Sequence, residues 1–585
     1  MPLPDLLLSC PSPLFEQLRW RTDELRSKIV RANYNTQFTQ TAPELTDFRH
    51  ATAGLVDGMD DAVLSGSFRK TVPITDYDTY APLLARFFEK PCEASAIANL
   101  FAPGLPDFLV DSSSTSGGVP KSFPYYNRLS KIRSSNARSW VASDPLLRRT
   151  TACLCYLGFG RMDVEDEDNY PIKTIYLTSG SVVGFRVHLN LDPEKDEEKM
   201  ATFIRDQAAP CAAGFIRKWR TFLLIHALFA VSSRSLETIT AVFINAFVDM
   251  IRYLDAEFDA VVDCIANGTI PDLGGMADVR PHLEVNIVAD PERAAELRRI
   301  GRPSSRPGWC GRVWPNLRSV HAIASGSFAS SVPLARWFLS PDTEIRTHGY
   351  GSTECFIGSP YNPLELNQFK LSNNDVIELL DINQNDSTVT ALTQLWEAKL
   401  GRSYELVLTT QDGLWRYRLG DVVEICGFDP TDGIPVIQFV ERRNIAIRFP
   451  NFMVAEKELR AAMSSVALSI PINLVNWTAA IDDRCIPVTI GFFVELAGDQ
   501  VSDLALAPTC LLDGLLQSNE EIASALARDL FRKPTIRVVR ESTFSDFLQL
   551  KLDEGSNNTG QIKVPVILPK PAYVMWFANQ VVQEV

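Results

Sequence analysis

Three short stretches hold the residue types that phosphate chemistry needs. Asp111-Ser-Ser-Ser-Thr-Ser-Gly-Gly-Val-Pro-Lys121 follows an apolar strand-like segment, Phe108-Leu109-Val110, and closes on one lysine. Backbone N–H groups, the hydroxyls of Ser113, Ser114, Thr115 and Ser116, the turn at Gly118 and the Lys121 cation could converge there on phosphate oxygens. It is not the P-loop of ordinary kinases, because the Gly-Lys-Ser/Thr ending is missing. The competing reading is a plain Ser/Gly-rich surface loop. In Tyr350-Gly351-Ser352-Thr353-Glu354-Cys355, a carboxylate follows small hydroxyl residues at a strand end. Glu354 could hold Mg²⁺ on a nucleotide triphosphate, since hard cations take carboxylate and phosphate oxygens; otherwise it is a solvated strand terminus. The third stretch, Thr409-Thr-Gln-Asp-Gly-Leu-Trp-Arg-Tyr417-Arg418-Leu-Gly-Asp421, joins an aromatic plane, a guanidinium and a carboxylate. Asp421 could accept from both ribose hydroxyls, and Arg418 could pair bidentately with phosphate. A hairpin with cross-strand charge pairing is the alternative.

Such groups need a scaffold, and the chain supplies one of ample size. Its 585 residues exceed a single core, so two or more domains are expected. Hydrophobic residues make up 46% and charged residues 22%, as in globular proteins. A net charge of −14 argues against a general nucleic-acid binder, which rests on basic surface. The longest apolar run, Phe222 to Val231, falls short of a membrane span and reads as a buried helix. The first fifteen residues lack the charged flank of a secretory signal. The 11 cysteines and 6 histidines are scattered, so reduced thiols, a cytoplasmic setting and no protein-built zinc site are expected.

The elements follow from local signals. Residues 16–100 read as mainly helical, and Pro73 to Tyr77 as a strand giving way to a capped helix. Thr174 to Thr178 and Val182 to Val187 read as strands. Asp192-Pro193 and Asp290-Pro291 signal helix starts, and Gly301 a stop. Apolar periodicity from Trp219 to Ile265 predicts two packed helices, around Phe222 to Phe229 and Ile239 to Leu254. Short strands then dominate, and the turn-rich Phe428 to Gly433 suggests a boundary into a smaller α/β domain. This divides the chain into 1–428 and 429–585.

Taken together, the ordered stretches resemble the adenylate-forming superfamily of acyl-CoA ligases, peptide-synthetase adenylation domains and luciferases. More closely the chain resembles the auxin-responsive acyl acid amido synthetases, the Gretchen Hagen family. Trp314-Pro-Asn-Leu, Ala324-Ser-Gly-Ser-Phe328, the Tyr350 stretch, Tyr404 through Asp421, Phe439-Val-Glu-Arg-Arg-Asn and Gly560-Gln-Ile-Lys563-Val-Pro carry the likeness. The resemblance implies an α/β fold: a large N-terminal domain with β-sheets and flanking helices, and a small mobile C-terminal α/β lid. It implies an ATP- and Mg²⁺-dependent ligase that adenylates a small carboxylic acid and passes the acyl group to an amine, usually an amino acid. A thiol or hydroxyl acceptor, or a degenerate adenylate-binding regulator, are the alternatives.

By the same resemblance Ser113 to Lys121 would enclose the ATP phosphates. Tyr350, Gly351, Ser352 and Thr353 would flank adenine and α-phosphate, and Glu354 would serve Mg²⁺. Asp421 would hold the ribose with Tyr417 and Arg418 beside it, Lys563 would arrive from the lid, and Phe328 and Trp337 would line the acyl pocket. A monomer acting on small molecules, with no nucleic-acid or membrane partner, is expected. The chain departs from the family pattern at Ser114, where glycine is usual, at Asp412, where a small residue is usual, and at Trp415, where tyrosine is usual. These departures weaken any inference of a plant-hormone substrate. The acidic run Glu165 to Asp168 reads as a solvated loop.

Overall fold

The helical start follows from well-capped segments. Pro11 opens the helix Ser12–Asn33, and the Asp60 and Asp76 carboxylates accept first-turn N–H groups of Asp61–Thr71 and Tyr77–Leu84. We describe the protein from a computed structural model; the described residues are 5–112, 121–134, 150–382, 392–443, 445–450, 452–470, 474–497, 504–554 and 562–585. The N-terminal helices bury their aromatic faces against Trp415, which is fully enclosed beside Phe48 and Phe68. Trp415 is therefore a core residue, which accounts for one departure from the family pattern. Asp412 accounts for another, through an ion pair with Arg128 at 2.6 Å and an N–H bond from Tyr126.

An eight-stranded antiparallel sheet carries two of the three chemical stretches. Along it, Ser403–Thr409 pairs with Tyr417–Phe428, and that strand pairs with Pro435–Arg442, setting Asp421 opposite Arg442. The turn Asp429 to Gly433 thus links two strands of one sheet, and the sheet runs on to Arg442, past the expected boundary at 428. Tyr350–Gly351 lies on the far edge, four ladder steps from the Asp421 strand. In a flat sheet that is about 19 Å. The Tyr350 hydroxyl nonetheless reaches Asp421 at 2.6 Å, so the sheet curls round on itself. The strands on either side of the serine-rich stretch lie in a separate sheet, where Phe108–Asp111 pairs antiparallel with Ser122–Tyr125.

A four-stranded parallel sheet, Thr151–Leu154, Thr238–Phe243, Ser319–Ile323 and Glu344–Arg346, packs one face against the buried helices Trp219–Ser232 and Ile244–Ala256. Two expectations are corrected here. Ile239 to Phe243 is a strand rather than the start of a helix; burial alternates from Thr238 to Ala241 and breaks at Val242, where the pairing register shifts, while Ile244 onward takes helical periodicity. Val182 to Val187 lies in the helix Gly180–His188, where Val182, Val183 and Arg186 share a buried face. Their β-branched side chains favour strand in isolation, and packing overrides that preference. The acidic run sits in the tight connection between Gly160–Glu165 and Pro171–Thr178 and is largely exposed from Glu167 on.

Beyond Arg442 a second α/β unit follows. Leu474–Asp482, Thr489–Leu496, Thr535–Val539 and Val581–Glu584 form a sheet with its own apolar core, covered by Glu456–Ser469 and Ala507–Ser518. It touches the rest of the chain through Leu548 and Ile562, which join the core behind the parallel sheet, and through the Arg252–Glu495 ion pair at 3.0 Å. No helix among the described residues is long and apolar enough to cross a membrane.

Candidate functional site

A cleft of about 1520 Å³ opens between the curled sheet, the hairpin, the parallel sheet and the C-terminal unit. The hairpin brings Lys121 to its mouth. Lys121 Nζ lies 3.5 Å from the Tyr417 hydroxyl and 5.1 Å over the Tyr77 ring, and its own N–H donates to Ser112 Oγ. Ser113, Ser114, Thr115, Ser116 and Gly118 lie outside the described residues. The Tyr125 hydroxyl donates to the Thr353 carbonyl at 2.8 Å, tying this hairpin to the Tyr350 stretch.

Four groups from that stretch and the neighbouring strands meet around one carboxylate pair. Asp421 is buried, accepts from the Tyr350 hydroxyl and faces Arg442 Nε at 3.2 Å. The oxygen that Arg442 faces is Oδ1, which is ion-paired there but accepts no hydrogen bond among the described residues. Glu354 is buried beside it, close to the Tyr417 hydroxyl. Burial pushes the Glu354 carboxyl up, and the Arg442 cation partly offsets this. Burial also raises the Tyr350 and Tyr417 hydroxyls, with Asp421 and Glu354 adding to the rise, so both phenols stay protonated as donors. The Arg442 guanidinium is held charged chiefly by Asp421. Gly351, Ser352 and Thr353 line the cleft beside Glu354, with Ser352 Oγ accepting the N–H groups of Glu354 and Cys355.

The far wall comes from the C-terminal unit and the parallel sheet. Lys563 Nζ sits 5.7 Å over the Phe328 ring, and Phe328 stacks on Phe243 at 4.0 Å and 14°. Burial, then the like charge of Arg442, brings the Lys563 ammonium down to about 8. Among the described residues no group of three His, Cys, Asp or Glu could hold a metal by itself. Glu354 supplies a single hard oxygen donor on the cleft wall. That fits Mg²⁺ carried on nucleotide phosphates, which uses one or two carboxylates and phosphate oxygens.

Two expected residues stand elsewhere. Arg418 points to the opposite side of its strand and is clamped bidentately by Glu405, at 2.6 and 2.8 Å. This is the cross-strand charge pair that the sequence left open. Arg442, quoted in the Phe439 segment without a role, supplies the guanidinium at the cleft instead. Trp337 is 37% exposed, packs edge-on against Phe338 and does not line the cleft. Phe243 was missed because its strand was read as helix.

Comparisons with known proteins agree along the whole chain. Residues 22–345 match the GH3 family N-terminal domain, 371–442 its central domain and 457–572 its C-terminal domain. The central match ends on Arg442, as the curled sheet does. A probable indole-3-acetic acid-amido synthetase of Oryza sativa subsp. japonica, GH3.1, is 27% identical over 551 residues, 90% of this chain and 85% of its own length. The Oryza sativa subsp. indica indole-3-acetic acid-amido synthetase GH3.8 is 29% identical over 360 residues, 58% of each chain. The Arabidopsis thaliana 4-substituted benzoates-glutamate ligase GH3.12 is 24% identical over 584 residues, 93% and 92%. The solved GH3.15 acyl acid amido synthetase shares the fold, with TM-score 0.74 and 20% identity over 98% of this chain and 95% of its own.

Proposed function

The chain belongs to the GH3 family, and from that premise we propose that it is an ATP-dependent ligase forming an amide from a small carboxylic acid and an amine, an amino acid foremost. In the first half-reaction a carboxylate oxygen attacks the α-phosphorus of ATP; the acyl–phosphate bond forms and pyrophosphate leaves. In the second, the amine nitrogen attacks the acyl carbon, AMP leaves with the bond electrons, and one amine proton is released. A free carboxylate is a poor acyl donor because its leaving group would be oxide, and adenylation replaces that with a phosphate. The protein's task is to position reactants and neutralise phosphoryl charge.

The observation that carries this reading is the meeting in one cleft of Lys563, Arg442, Glu354 and Asp421. Asp421, whose Oδ1 accepts no hydrogen bond among the described residues, is assigned the ribose hydroxyls. Lys121 and the loop Ser113 to Gly118 are assigned the β- and γ-phosphates. Tyr350, Gly351, Ser352 and Thr353 are assigned the adenosine and α-phosphate side. Glu354 would hold Mg²⁺, which when bound offsets phosphate charge. Lys563 and Arg442 would face the α-phosphate, and the Phe328–Phe243 stack would bound the acyl group. Arg418 is withdrawn from the phosphate role and serves to brace Glu405 and its strand. The body–lid boundary is placed between Arg442 and Glu456.

The relatives named for indole-3-acetic acid and for benzoates with glutamate support an amino-acid acceptor. The test is direct. With ATP and a broad acid panel the protein should catalyse acid-dependent pyrophosphate exchange without any amine, and should release AMP continuously once an amino acid is added. Absence of exchange with every acid would overturn the reading.

A further inference from the structure

The parallel sheet turns two chemically different faces outward. One face is apolar: Ala152, Leu154, Ile239, Ala241, Val320 and Ala322 are buried against the helices. The other face forms a wall of the cleft, with Thr151, Cys153, Thr238, Thr240 and His321 along it and the apolar Val242, Phe243 and Ile323 at the strand ends. A strand that merely filled space would place aliphatic side chains on both faces, as buried parallel strands generally do. Here period-two alternation puts hydroxyl, thiol and imidazole groups into the cavity instead. Thr151, Thr238 and Thr240 are half-buried and line the cleft. Polar groups facing a ligand cavity are the groups that fix a ligand's orientation.

Position along the strand says which end of a substrate they meet. Phe243 closes the Thr238–Phe243 strand and stacks on Phe328, beneath Lys563. That is the end at which the carboxyl would be activated. Thr240 lies three residues back from Phe243 and Thr238 five, about 10 and 16 Å along a strand. His321 is on the adjacent strand, in register with Thr240, and its Nε2 is 3.0 Å from Ser319 Oγ. Burial pulls the His321 and His348 rings below the ordinary imidazole range, so at neutral pH this wall offers hydroxyls and a neutral ring.

We propose that the acid adenylated here carries a neutral hydrogen-bonding group, a hydroxyl or a carbonyl, on the end away from its carboxyl, and that Thr240, Thr238 and His321 select for it. This rests on the ligase reading above. A site that hydrogen-bonds a substrate hydroxyl discriminates against the analogue lacking it, because its own polar groups are left unpaired.

Pyrophosphate exchange in the absence of amine isolates the acid. The full chain is assayed with para-hydroxyphenyl acetic, propanoic and butanoic acids, each against the acid without the hydroxyl. At least one pair should differ by about tenfold or more in kcat/KM, favouring the hydroxylated acid. Thr240→Val, close to isosteric, should bring that ratio near one, chiefly by raising KM for the hydroxylated acid; Thr238→Val provides the second variant. Ratios near one throughout, or ratios unmoved by both substitutions while exchange persists, would overturn the proposal and leave the ligase reading standing. No exchange with any acid would remove the ligase reading and this inference together.

Discussion

Lys563 faces a cleft that already contains the Arg442 cation, and its ammonium is brought down to about 8 by burial and that neighbour. A group so shifted is charged below pH 8 and neutral above it. If its charge serves adenylation, kcat/KM for ATP in pyrophosphate exchange falls on the alkaline side with a midpoint near 8, because this ratio reports the free enzyme. Lys563→Arg should remove that limb, since a guanidinium stays charged. Lys563→Ala should cost about 10²–10³ in exchange rate with little loss of thermal stability, as for a group that acts on developing charge. The residue scale also shows what the sequence made legible. Glu354, Asp421 and Tyr350 stand together as expected, because each motif named its own chemistry. Arg418 does not join them, and strand parity explains it: Tyr417, Leu419 and Asp421 face one way and Arg418 the other. Arg442 is visible only through pairing, because its claim on Asp421 is a cross-strand contact that no local spacing encodes.

At the scale of elements, Arg416 decides how the Tyr417–Phe428 strand is presented. It holds a left-handed backbone, φ 48, costly for a side chain of this size. Its guanidinium is fully buried, bound to both Glu378 oxygens at 2.8 Å and to the Val72 carbonyl at 2.7 Å. Arg26 extends this network through Gln394 to the first helix. The strand bearing Tyr417 and Asp421 is thereby pinned to the N-terminal helices. Burial acts to raise the Glu378 carboxyl, yet Arg416 and Arg26 outweigh it and hold the group at about 2. A depressed carboxylate stabilises the fold above its unfolded value near 4.5 and loses that contribution as pH falls towards 2. Glu378→Gln should lower unfolding free energy by about 3 kcal/mol at pH 7, and the gap from the parent should narrow below about pH 4.5 in denaturant titrations. A gap independent of pH would refute the ionic account. None of these partners is near in sequence, which is why the network was not read there. Likewise the Thr238–Phe243 strand was hidden by the apolar helices flanking it, although its own alternation is plain once separated from them.

On the scale of the whole molecule, the arrangement of the two units fixes which half-reaction this conformation suits. Lys563, on the C-terminal unit, already reaches over Phe328 on the large one. In the proposed scheme that is the adenylating arrangement, with the lysine brought to the phosphate side before any amine enters. The same placement obstructs the second step: Lys563 and the segment Val564 to Val566 occupy one wall of the cleft, where an acceptor must approach the acyl carbon. Amide formation then requires the C-terminal unit to move, as lids do when one site serves successive steps. The contacts holding it are compatible with release. Apart from the apolar contacts of Leu548, Leu552, Ile562 and Val564, they include the Arg252–Glu495 pair and the Gln549 side chain on the Trp219 N–H, polar links that water can replace. Arg220 on the large unit pairs with Glu257, and Asp546 on the C-terminal unit with Arg540. Both are half exposed, and the Arg220 cation is near enough to act on the Asp546 carboxyl, so cysteines at both sites can be bridged across this boundary. Cys485 is the exposed cysteine, so in a Cys485→Ser background, joining Arg220→Cys to Asp546→Cys with a short bis-maleimide should preserve acid-dependent pyrophosphate exchange and suppress amide formation at least tenfold. The same reagent on the background protein, without the introduced pair, should do neither. Equal loss of both half-reactions in the joined protein would mean that the two units act as one rigid body, and that amine entry follows a route through the cleft that leaves Lys563 in place.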